Sequence, residues 1–252
     1  MPRFSANLGF LWTDRSLPEA IRAAARAGFA AVECHWPYDE DAGEVAAALS
    51  ETGLPMLGIN TVRGGAGEFG LAALPGREVE ARAAIEQAVA YAMAIGAQAV
   101  HVMAGKVQGP AARAVFLDNL DYACGLAGQQ GITVLIEPLN QWDAPGYFLQ
   151  TTDQADEVIG ALGAANLKLM FDCYHVARQE GDVAVRLERL LPIIGHIQFA
   201  GVPERGAPEL GDLDYNALFR TIDSLGWSRP LGAEYRPEGD TRDSLGWMTA
   251  LG

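Results

Sequence analysis

The chain has 252 residues, of which 50% are hydrophobic and 20% are charged, a composition typical of a globular protein with a sizeable core. Its formal net charge is -14 at pH 7, and no cluster of Lys and Arg interrupts this acidic balance. These features argue against a nucleic-acid partner and against binding to an anionic membrane surface.

Eight short apolar runs along the chain predict β-strands. They occur at 4–10, 30–36, 55–60, 98–105, 132–138, 167–173, 194–200 and 229–235. Segments with the periodicity of amphipathic helices lie between them, and the clearest are 17–29, 77–96, 112–131, 151–166 and 214–226. The first of these helices has Pro near its start and Gly near its end, which is the usual asymmetry of helix start and stop signals.

Eight strand–helix units in a chain of this length predict an α/β protein with a (β/α)8 TIM barrel. No linker rich in Ser, Pro or Gly divides the chain, so we expect one domain over residues 1–252. A doubly wound open sheet is the competing fold. The segment GAGEFG (65–70) matches the GxGxxG nucleotide motif, but it follows the third strand and precedes Pro75 rather than a helix. We therefore expect it to be a loop over the barrel mouth.

Four consecutive predicted strands, from the fifth to the eighth, each end in an oxygen-bearing side chain: Glu137, Asp172, Gln198 and Glu234. Active sites of TIM barrels lie at the carboxyl ends of the strands, so we expect these four side chains to converge. Three carboxylates placed together would repel one another without a cation, and an all-oxygen set favours Mg²⁺ or Mn²⁺ over zinc or copper. The alternative is that each side chain separately caps neighbouring backbone.

Eight short motifs form a specific combination. Four lie at strand ends: IEPLN (136–140), FDCYH (171–175), HIQFA (196–200) and EYRP (234–237). Four lie elsewhere: RFSANL (3–8), WPYD (36–39), LPGRE (74–78) and WM (247–248). Together they resemble the hydroxypyruvate isomerase family, within the xylose isomerase-like TIM barrels, and the resemblance extends essentially from end to end of the chain.

The resemblance implies roles for these residues. The family's metal ligands fall on Glu137, Asp172, Gln198 and Glu234, and its acid/base pair falls on Glu137 and Glu234. In the implied reaction a divalent cation binds two adjacent oxygens of an α-hydroxy carbonyl compound. One Glu removes a carbon-bound proton, and the other Glu, or the same one after a shift, returns it to the neighbouring carbon.

The resemblance also implies substrate contacts by His175 and Arg205. We expect His175 to polarise a substrate oxygen, the alternative being a structural, hydrogen-bonded histidine. Arg205 is expected to hold a substrate carboxylate or hydroxyl, and Lys106 is a further candidate; the alternative for both is a solvated loop charge. We expect His196 in a deeper layer of the barrel, on the same side of its strand as Gln198, and His101 in the core or in a loop.

The predicted function is a metal-dependent isomerase of the aldose–ketose type, an intramolecular oxidoreductase. Hydroxypyruvate, converted to tartronate semialdehyde, is the first candidate substrate and a 2-oxo-tetronate is the second. A ketose 3-epimerase, a dehydratase, an endonuclease and a non-catalytic barrel are the alternatives, and the last is disfavoured because both Glu residues are present. The loops at 60–70 and 200–212 depart from the family pattern, with Arg63 as an extra charge and Gly201 and Val202 in place of polar residues.

Three Cys residues without a CxxC pair, at 34, 124 and 173, indicate a reducing compartment. The amino terminus shows no secretory signal, and no stretch approaches the roughly 20 apolar residues that span a bilayer. We therefore expect a cytoplasmic protein whose partner is a small-molecule substrate, with homo-oligomerisation left open.

Overall fold

The structure is a computed structural model that describes residues 2–251, so Met1 and Gly252, the ends of the predicted domain, lie outside the described residues. All eight predicted strands form, and each is shorter than the apolar run that predicted it. They are β1 (Phe4–Asn7), β2 (Ala31–Glu33), β3 (Ile59–Asn60), β4 (Ala99–His101), β5 (Thr133–Ile136), β6 (Leu167–Asp172), β7 (Ile194–Phe199) and β8 (Leu231–Ala233).

The strands form one parallel sheet in the order β2-β1-β8-β7-β6-β5-β4-β3. β1 pairs with both β2 and β8, so the first and last strands are neighbours. The remaining seam is narrow: Val32 in β2 bridges to Met56 just before β3, and its amide donates to the carbonyl of Pro55 at 3.0 Å. A doubly wound open sheet does not join its first strand to its last, so the predicted (β/α)8 TIM barrel is confirmed.

Helices follow the strands around the outside of the barrel. They are α1 (Leu17–Arg26), α2 (Ala42–Thr52), α3 (Glu78–Ile95), α4 (Pro110–Gly128), α5 (Thr152–Leu162), α6 (Cys173–Gln179), α7 (Val183–Leu190), α8 (Tyr215–Ser224) and α9 (Trp247–Ala250). Ser16 and Glu19 form a capping box at the start of α1, which explains why this helix was predictable. Among the described residues, no helix is long and apolar enough to cross a membrane.

Alternation along β7 separates the two sides of the barrel wall. Phe199 faces the helices, where its ring centroid lies 5.3 Å from that of the fully buried Trp247 and 5.7 Å from that of Phe4. His196 and Gln198 face the barrel interior, as expected, and both are buried. The outer wall therefore supplies the apolar core, and the interior holds the polar groups of the mouth.

Candidate active site

The four strand-end residues occupy the same end of the barrel. Glu137 follows β5, Asp172 ends β6, Gln198 lies near the end of β7, and Glu234 follows β8. Asp172 is paired in register with Gln198, which places the two side chains on adjacent strands at one level. All four are buried, with between 1% and 5% of each residue exposed. The structure thus brings the predicted group together at the carboxyl ends of the strands.

A cavity of about 230 Å³ opens above them. Its charged and polar lining comprises His35, Asn60, Arg63, Glu137, Asp143, His175, Arg205, Glu234 and Arg236, and its apolar lining includes Phe10, Trp36, Phe69 and Met103. The loop at 60–70, which contains the GxGxxG match, contributes Arg63 and Phe69 to this wall. The segment is therefore a loop at the barrel mouth, as expected.

Glu137, Asp172 and His175 form a compact buried group. One potential ligand atom from each lies within 4.8 Å of the others. Nε2 of His175 is 3.8 Å from Oε1 of Glu137 and 3.6 Å from Oδ2 of Asp172. The other Asp172 oxygen accepts from the amide of Tyr174 at 2.8 Å and so caps α6, the helix that carries His175. One carboxylate therefore ends the strand and starts the helix that brings the histidine to it.

The hydrogen bonds of His175 identify which of its nitrogens carries the proton. The backbone amide of Asn140 donates to Nδ1 at 3.1 Å, and an amide N–H can only donate. Burial lowers the pKa of His175 to about 3, with a smaller contribution from the charge of Arg205, so the ring is neutral. Its proton is therefore on Nε2, facing Glu137 and Asp172. His175 presents a hydrogen-bond donor to the site rather than a lone pair for a metal.

Arg205 balances part of the negative charge. Its Nη2 atom lies 2.7 Å from Oε2 of Glu234 and 3.5 Å from Oδ2 of Asp172. The residue sits in the 200–212 loop with a positive φ of 56°. The loop folds tightly on itself. A Cβ on Gly201 would lie only 2.5 Å from the carbonyl oxygen of Ala207, so a larger residue would not fit there. Gly201, a departure from the family pattern, thus permits the turn that presents Arg205.

The two glutamates have opposite electrostatic environments. Burial raises the pKa of Glu137 well above its ordinary value, and the charges of Glu234 and Asp172 raise it further. Burial also opposes ionisation of Glu234, but Arg205 and a hydrogen bond from His35 outweigh it, so the pKa of Glu234 is lowered. Burial raises the pKa of Asp172 to about 7 against the charge of Arg205. The two glutamates therefore differ in how readily each binds a proton.

Gln198 is oriented from below by Glu33. Nε2 of Gln198 donates to Oε1 of Glu33 at 2.8 Å, and Glu33 also binds Nε2 of His196 at 2.6 Å and Nδ2 of Asn7 at 3.1 Å. Because the amide nitrogen is held, the amide oxygen of Gln198 points the other way. That oxygen is buried and has no hydrogen-bond partner among the described residues.

The donor set fits a divalent cation that prefers oxygen ligands. Oε1 of Glu137 and Oε1 of Gln198 are buried and lack hydrogen-bond partners within residues 2–251. Asp172 and Glu234 each direct an oxygen to the guanidinium of Arg205, which is the positive charge now among them. A hard metal ion requires oxygen donors that no other group engages and negative charge close by. Oε1 of Glu137 and Oε1 of Gln198 supply the donors, and the carboxylates of Asp172 and Glu234 supply the charge.

Several residues of the site were not predicted to act there. His35 is one of them, and its Nε2 lies 2.8 Å from Oε1 of Glu234. His101, expected in the core or a loop, places Nδ1 3.6 Å from Oε2 of Glu137. Asn7 donates to Oε1 of Glu234 at 3.0 Å as well as to Glu33. The available signal was spacing, since Glu33 and His35 are two residues apart at the end of β2.

Lys106 lies at the edge of the site. Its ammonium is 4.2 Å from the ring centroid of Phe69, and Phe69 lines the cavity. Direct contact between Lys106 and a substrate thus stays a prediction.

Comparison with known proteins places the chain in a family. Residues 21–251 match the family described as xylose isomerase-like TIM barrel. A 2-oxo-tetronate isomerase from Cupriavidus necator is 47% identical and covers 98% of each chain, and a hydroxypyruvate isomerase from Escherichia coli is 37% identical with the same coverage. A solved Brucella melitensis structure described as AP endonuclease, family 2 superposes with a TM-score of 0.95 at 36% identity, covering 99% of each chain.

The resemblance noted in the motifs is confirmed by these full-length matches. The named relatives are isomerases, which also confirms the prediction of an enzyme of the aldose–ketose isomerase type. With a family match over most of its length and a barrel that carries the predicted strand-end residues, the chain belongs to the xylose isomerase-like TIM barrel family.

Proposed function

We propose that this chain isomerises a small hydroxylated 2-oxo acid by moving its carbonyl group to the adjacent carbon. Hydroxypyruvate, converted to tartronate semialdehyde, and a 2-oxo-tetronate are the two candidate substrates. Relatives named for each of these activities support the choice. The cavity of about 230 Å³ is smaller than the roughly 300 to 1,000 Å³ typical of drug-sized ligand sites, which suits a metabolite of three or four carbons.

The observation that carries the proposal is the placement of two glutamates, Glu137 and Glu234, on the wall of one small cavity. Glu234, ionised beside Arg205 and His35, accepts the carbon-bound proton. Glu137, which faces the same cavity, delivers a proton to the neighbouring carbon. For hydroxypyruvate, C3 loses one proton and C2 gains one, while the hydroxyl proton on O3 is transferred to O2. The reaction is balanced without an external oxidant or reductant.

Neighbouring side chains orient the substrate for this transfer. Nε2–H of His175 donates a hydrogen bond to the substrate oxygen that gains negative charge. Arg205 fixes the ionised state of Glu234 and contacts a substrate oxygen, and Lys106 adds positive charge near the mouth. Phe10, Trp36 and Phe69 cover the cavity with apolar surface, which excludes water from the reacting carbons.

Glu137, Asp172, Gln198 and Glu234 are proposed to hold a divalent cation, Mg²⁺ or Mn²⁺, because their donors are all oxygens. When bound, such a cation supplies electrostatic stabilisation of the negative charge on two adjacent substrate oxygens. Glu137 and Glu234 line the cavity, whereas Asp172 and Gln198 are not among its lining residues and would serve as ligands only, which leaves proton transfer to the two glutamates.

Proton NMR in D₂O tests the proposal. The purified protein, loaded with Mn²⁺ or Mg²⁺ and then freed of excess metal, is mixed with hydroxypyruvate, 2-oxo-tetronates and free ketoses in turn. When an acid is the substrate, we expect the proton on the carbon beside the carbonyl to exchange for deuterium, so that its signal is lost, and the isomer to accumulate. Quantifying products by chromatography distinguishes isomerase, 3-epimerase and dehydratase activities.

Two variants locate the chemistry. Glu137→Gln and Glu234→Gln each remove one acid/base group, and we expect at least a roughly 100-fold loss of kcat, the usual effect of losing a general acid or base. Glu238→Gln is the matched control, because Glu238 is exposed and lies only four residues after Glu234. Full activity in either site variant would refute the proposal. It would also be refuted if the metal-loaded wild type exchanged the carbon-bound proton of none of the acids in the panel.

A further inference from the structure

Three arginines of the described chain line the cavity: Arg63, Arg205 and Arg236. Arg236 is an exposed residue whose guanidinium lies 5.5 Å from the ring centroid of Phe10, whereas Arg63 and Arg205 differ in their electrostatic situations. Arg205 is already engaged, with Nη2 at 2.7 Å from Glu234 and 3.5 Å from Asp172. Arg63 lines the same cavity, yet no carboxylate forms an ion pair with it in the described part of the chain, residues 2–251. An arginine at a cavity wall without a carboxylate partner retains its capacity to bind one.

Aromatic rings hold the guanidinium of Arg63. Its central carbon lies 4.7 Å from the ring centroid of Trp36 and 4.9 Å from that of Phe69. Nε donates to the carbonyl oxygen of Glu68 at 3.3 Å. Contacts with ring faces consume no hydrogen-bonding group, and within residues 2–251 neither terminal nitrogen of Arg63 forms a hydrogen bond, so both remain available as donors. The ammonium of Lys106, 4.2 Å from the same Phe69 ring, adds to the positive charge at this wall.

The acid nearest along the loop is held away from Arg63. Oε1 of Glu68 accepts from Arg77 at 2.9 Å, and Oε2 accepts from the amide of Gly65 at 2.6 Å. Glu68 therefore offers Arg63 only its backbone carbonyl. The carboxylate of Glu68 therefore stabilises the turn of the loop and does not neutralise the charge of Arg63.

The end of the loop is fixed in place. The amide of Gly70 donates to the carbonyl oxygen of Arg63 at 2.8 Å. Gly70 has a φ of 104°, and a Cβ there would lie 2.3 Å from the carbonyl oxygen of Met103, so only glycine fits. Arg63 is thus positioned by a loop that is closed against the segment after β4 rather than by a free surface turn.

We propose that Arg63 binds the carboxylate of the substrate and thereby selects acids over neutral sugars. This inference rests on the proposed function and extends it to substrate selection. A planar guanidinium with two free terminal nitrogens matches a carboxylate through two parallel hydrogen bonds. The acid group then lies at the wall formed by Trp36 and Phe69, and the oxo and hydroxyl groups face Glu137 and Glu234.

Kinetics of Arg63→Met and Arg63→Lys test the assignment. Hydroxypyruvate is compared with dihydroxyacetone, in which a neutral CH₂OH group replaces the carboxylate. For Arg63→Met we expect KM for hydroxypyruvate to rise roughly 10- to 100-fold, the equivalent of one charged hydrogen-bonded contact, with kcat within about threefold. Turnover of dihydroxyacetone should be unchanged, and Arg63→Lys should recover part of the loss.

Arg178→Met is the matched control. Arg178 also lies over a ring, 5.2 Å from the Trp142 centroid, and donates to a backbone carbonyl, but it does not line the cavity. It should leave both KM values unchanged. An Arg63→Met protein that unfolds at the wild-type temperature and keeps the wild-type preference for the acid would overturn the inference.

Binding of glycerate, which has the carboxylate but no carbonyl, separates this inference from the proposed function. Calorimetry is performed on the metal-loaded wild type and on both Met variants. If the wild type isomerises no acid, the proposed function fails, and weaker glycerate binding in Arg63→Met alone still supports the carboxylate site. Equal glycerate affinity in all three proteins refutes it, whatever the activity.

Discussion

Removing the carboxylate of Glu33 should cost both stability and metal affinity. Glu33 is 3% exposed and lies beneath the proposed metal ligands. It accepts hydrogen bonds from Gln198 at 2.8 Å, His196 at 2.6 Å and Asn7 at 3.1 Å. Glu33→Ala would leave the buried donors of Gln198 and His196 without this acceptor and Asn7 with Glu234 alone. We expect the free energy of unfolding to fall by about 3 to 5 kcal/mol, as when one member of a buried charged pair is removed.

The effect on metal binding follows from the amide of Gln198. Within residues 2–251 the bond to Glu33 is what fixes its nitrogen downward, so in Glu33→Ala the amide is free to rotate and its oxygen is no longer held toward the ligand set. Loss of such an orienting partner typically lowers metal affinity by about 10- to 100-fold. Titration calorimetry of the metal-stripped protein with Mn²⁺ measures this, and thermal unfolding in chelator measures the stability.

Glu33→Gln is the informative comparison. Its one carbonyl oxygen can still accept from Gln198, so it should retain most of the Mn²⁺ affinity while losing the charge. Gly232→Ala would disturb the contact between Glu33 and Gln198 without removing either side chain. The new Cβ would lie 2.6 Å from Oε1 of Glu33 and 2.8 Å from Cγ of Gln198. A Glu33→Ala protein that binds Mn²⁺ as tightly as the wild type would refute the orienting role of Glu33.

Three further substitutions test separate parts of the structure. Gly9→Ala would place a Cβ 2.1 Å from Nδ1 of His35, so we expect a displaced imidazole and a roughly 10-fold or greater loss of kcat, with little change in unfolding temperature. Trp247→Ala should lower the free energy of unfolding by about 3 to 5 kcal/mol, whereas Trp142→Ala, at a residue 55% exposed, should change it by less than about 0.5 kcal/mol in the same denaturant titration. Arg205→Met removes the cation among the carboxylates, so we expect lower stability in chelator but a roughly 10-fold or larger gain in Mn²⁺ affinity by calorimetry, and an unchanged affinity would contradict the fit of a metal there.

The fold was predictable because its signals are local. Each strand is an apolar run flanked by turn residues, and the long helices α3 and α4 have many turns over which periodicity accumulates. α2 was not singled out because it combines a short length of 11 residues with weak contrast between its faces, and α6 was not because it has seven residues and starts directly after β6. Short or uniform segments become helical through tertiary packing, which sequence periodicity does not record.

The only site residues that could be predicted from the sequence pattern were those at the ends of apolar strand runs. Glu137, Asp172, Gln198 and Glu234 each end an apolar run, so their convergence follows from the barrel geometry. Glu33 and His101 lie in or at the ends of short strands whose polar residues look ordinary in sequence. Their contacts with Gln198 and Glu137 join distant parts of the chain, and no spacing rule reports such pairs.

Arg63 and Arg205 show the limit of reasoning from residue type. In the sequence both are loop arginines after a strand, and only Arg205 matches a position that the family uses. In the structure the charge of Arg205 is balanced by Glu234 and Asp172, whereas that of Arg63 is not balanced by any carboxylate within residues 2–251. A substrate acid approaching Arg205 must compete with two carboxylates and is repelled by them, while at Arg63 it meets an open guanidinium. The proposed metal ligands and the proposed carboxylate site therefore lie on walls of opposite charge.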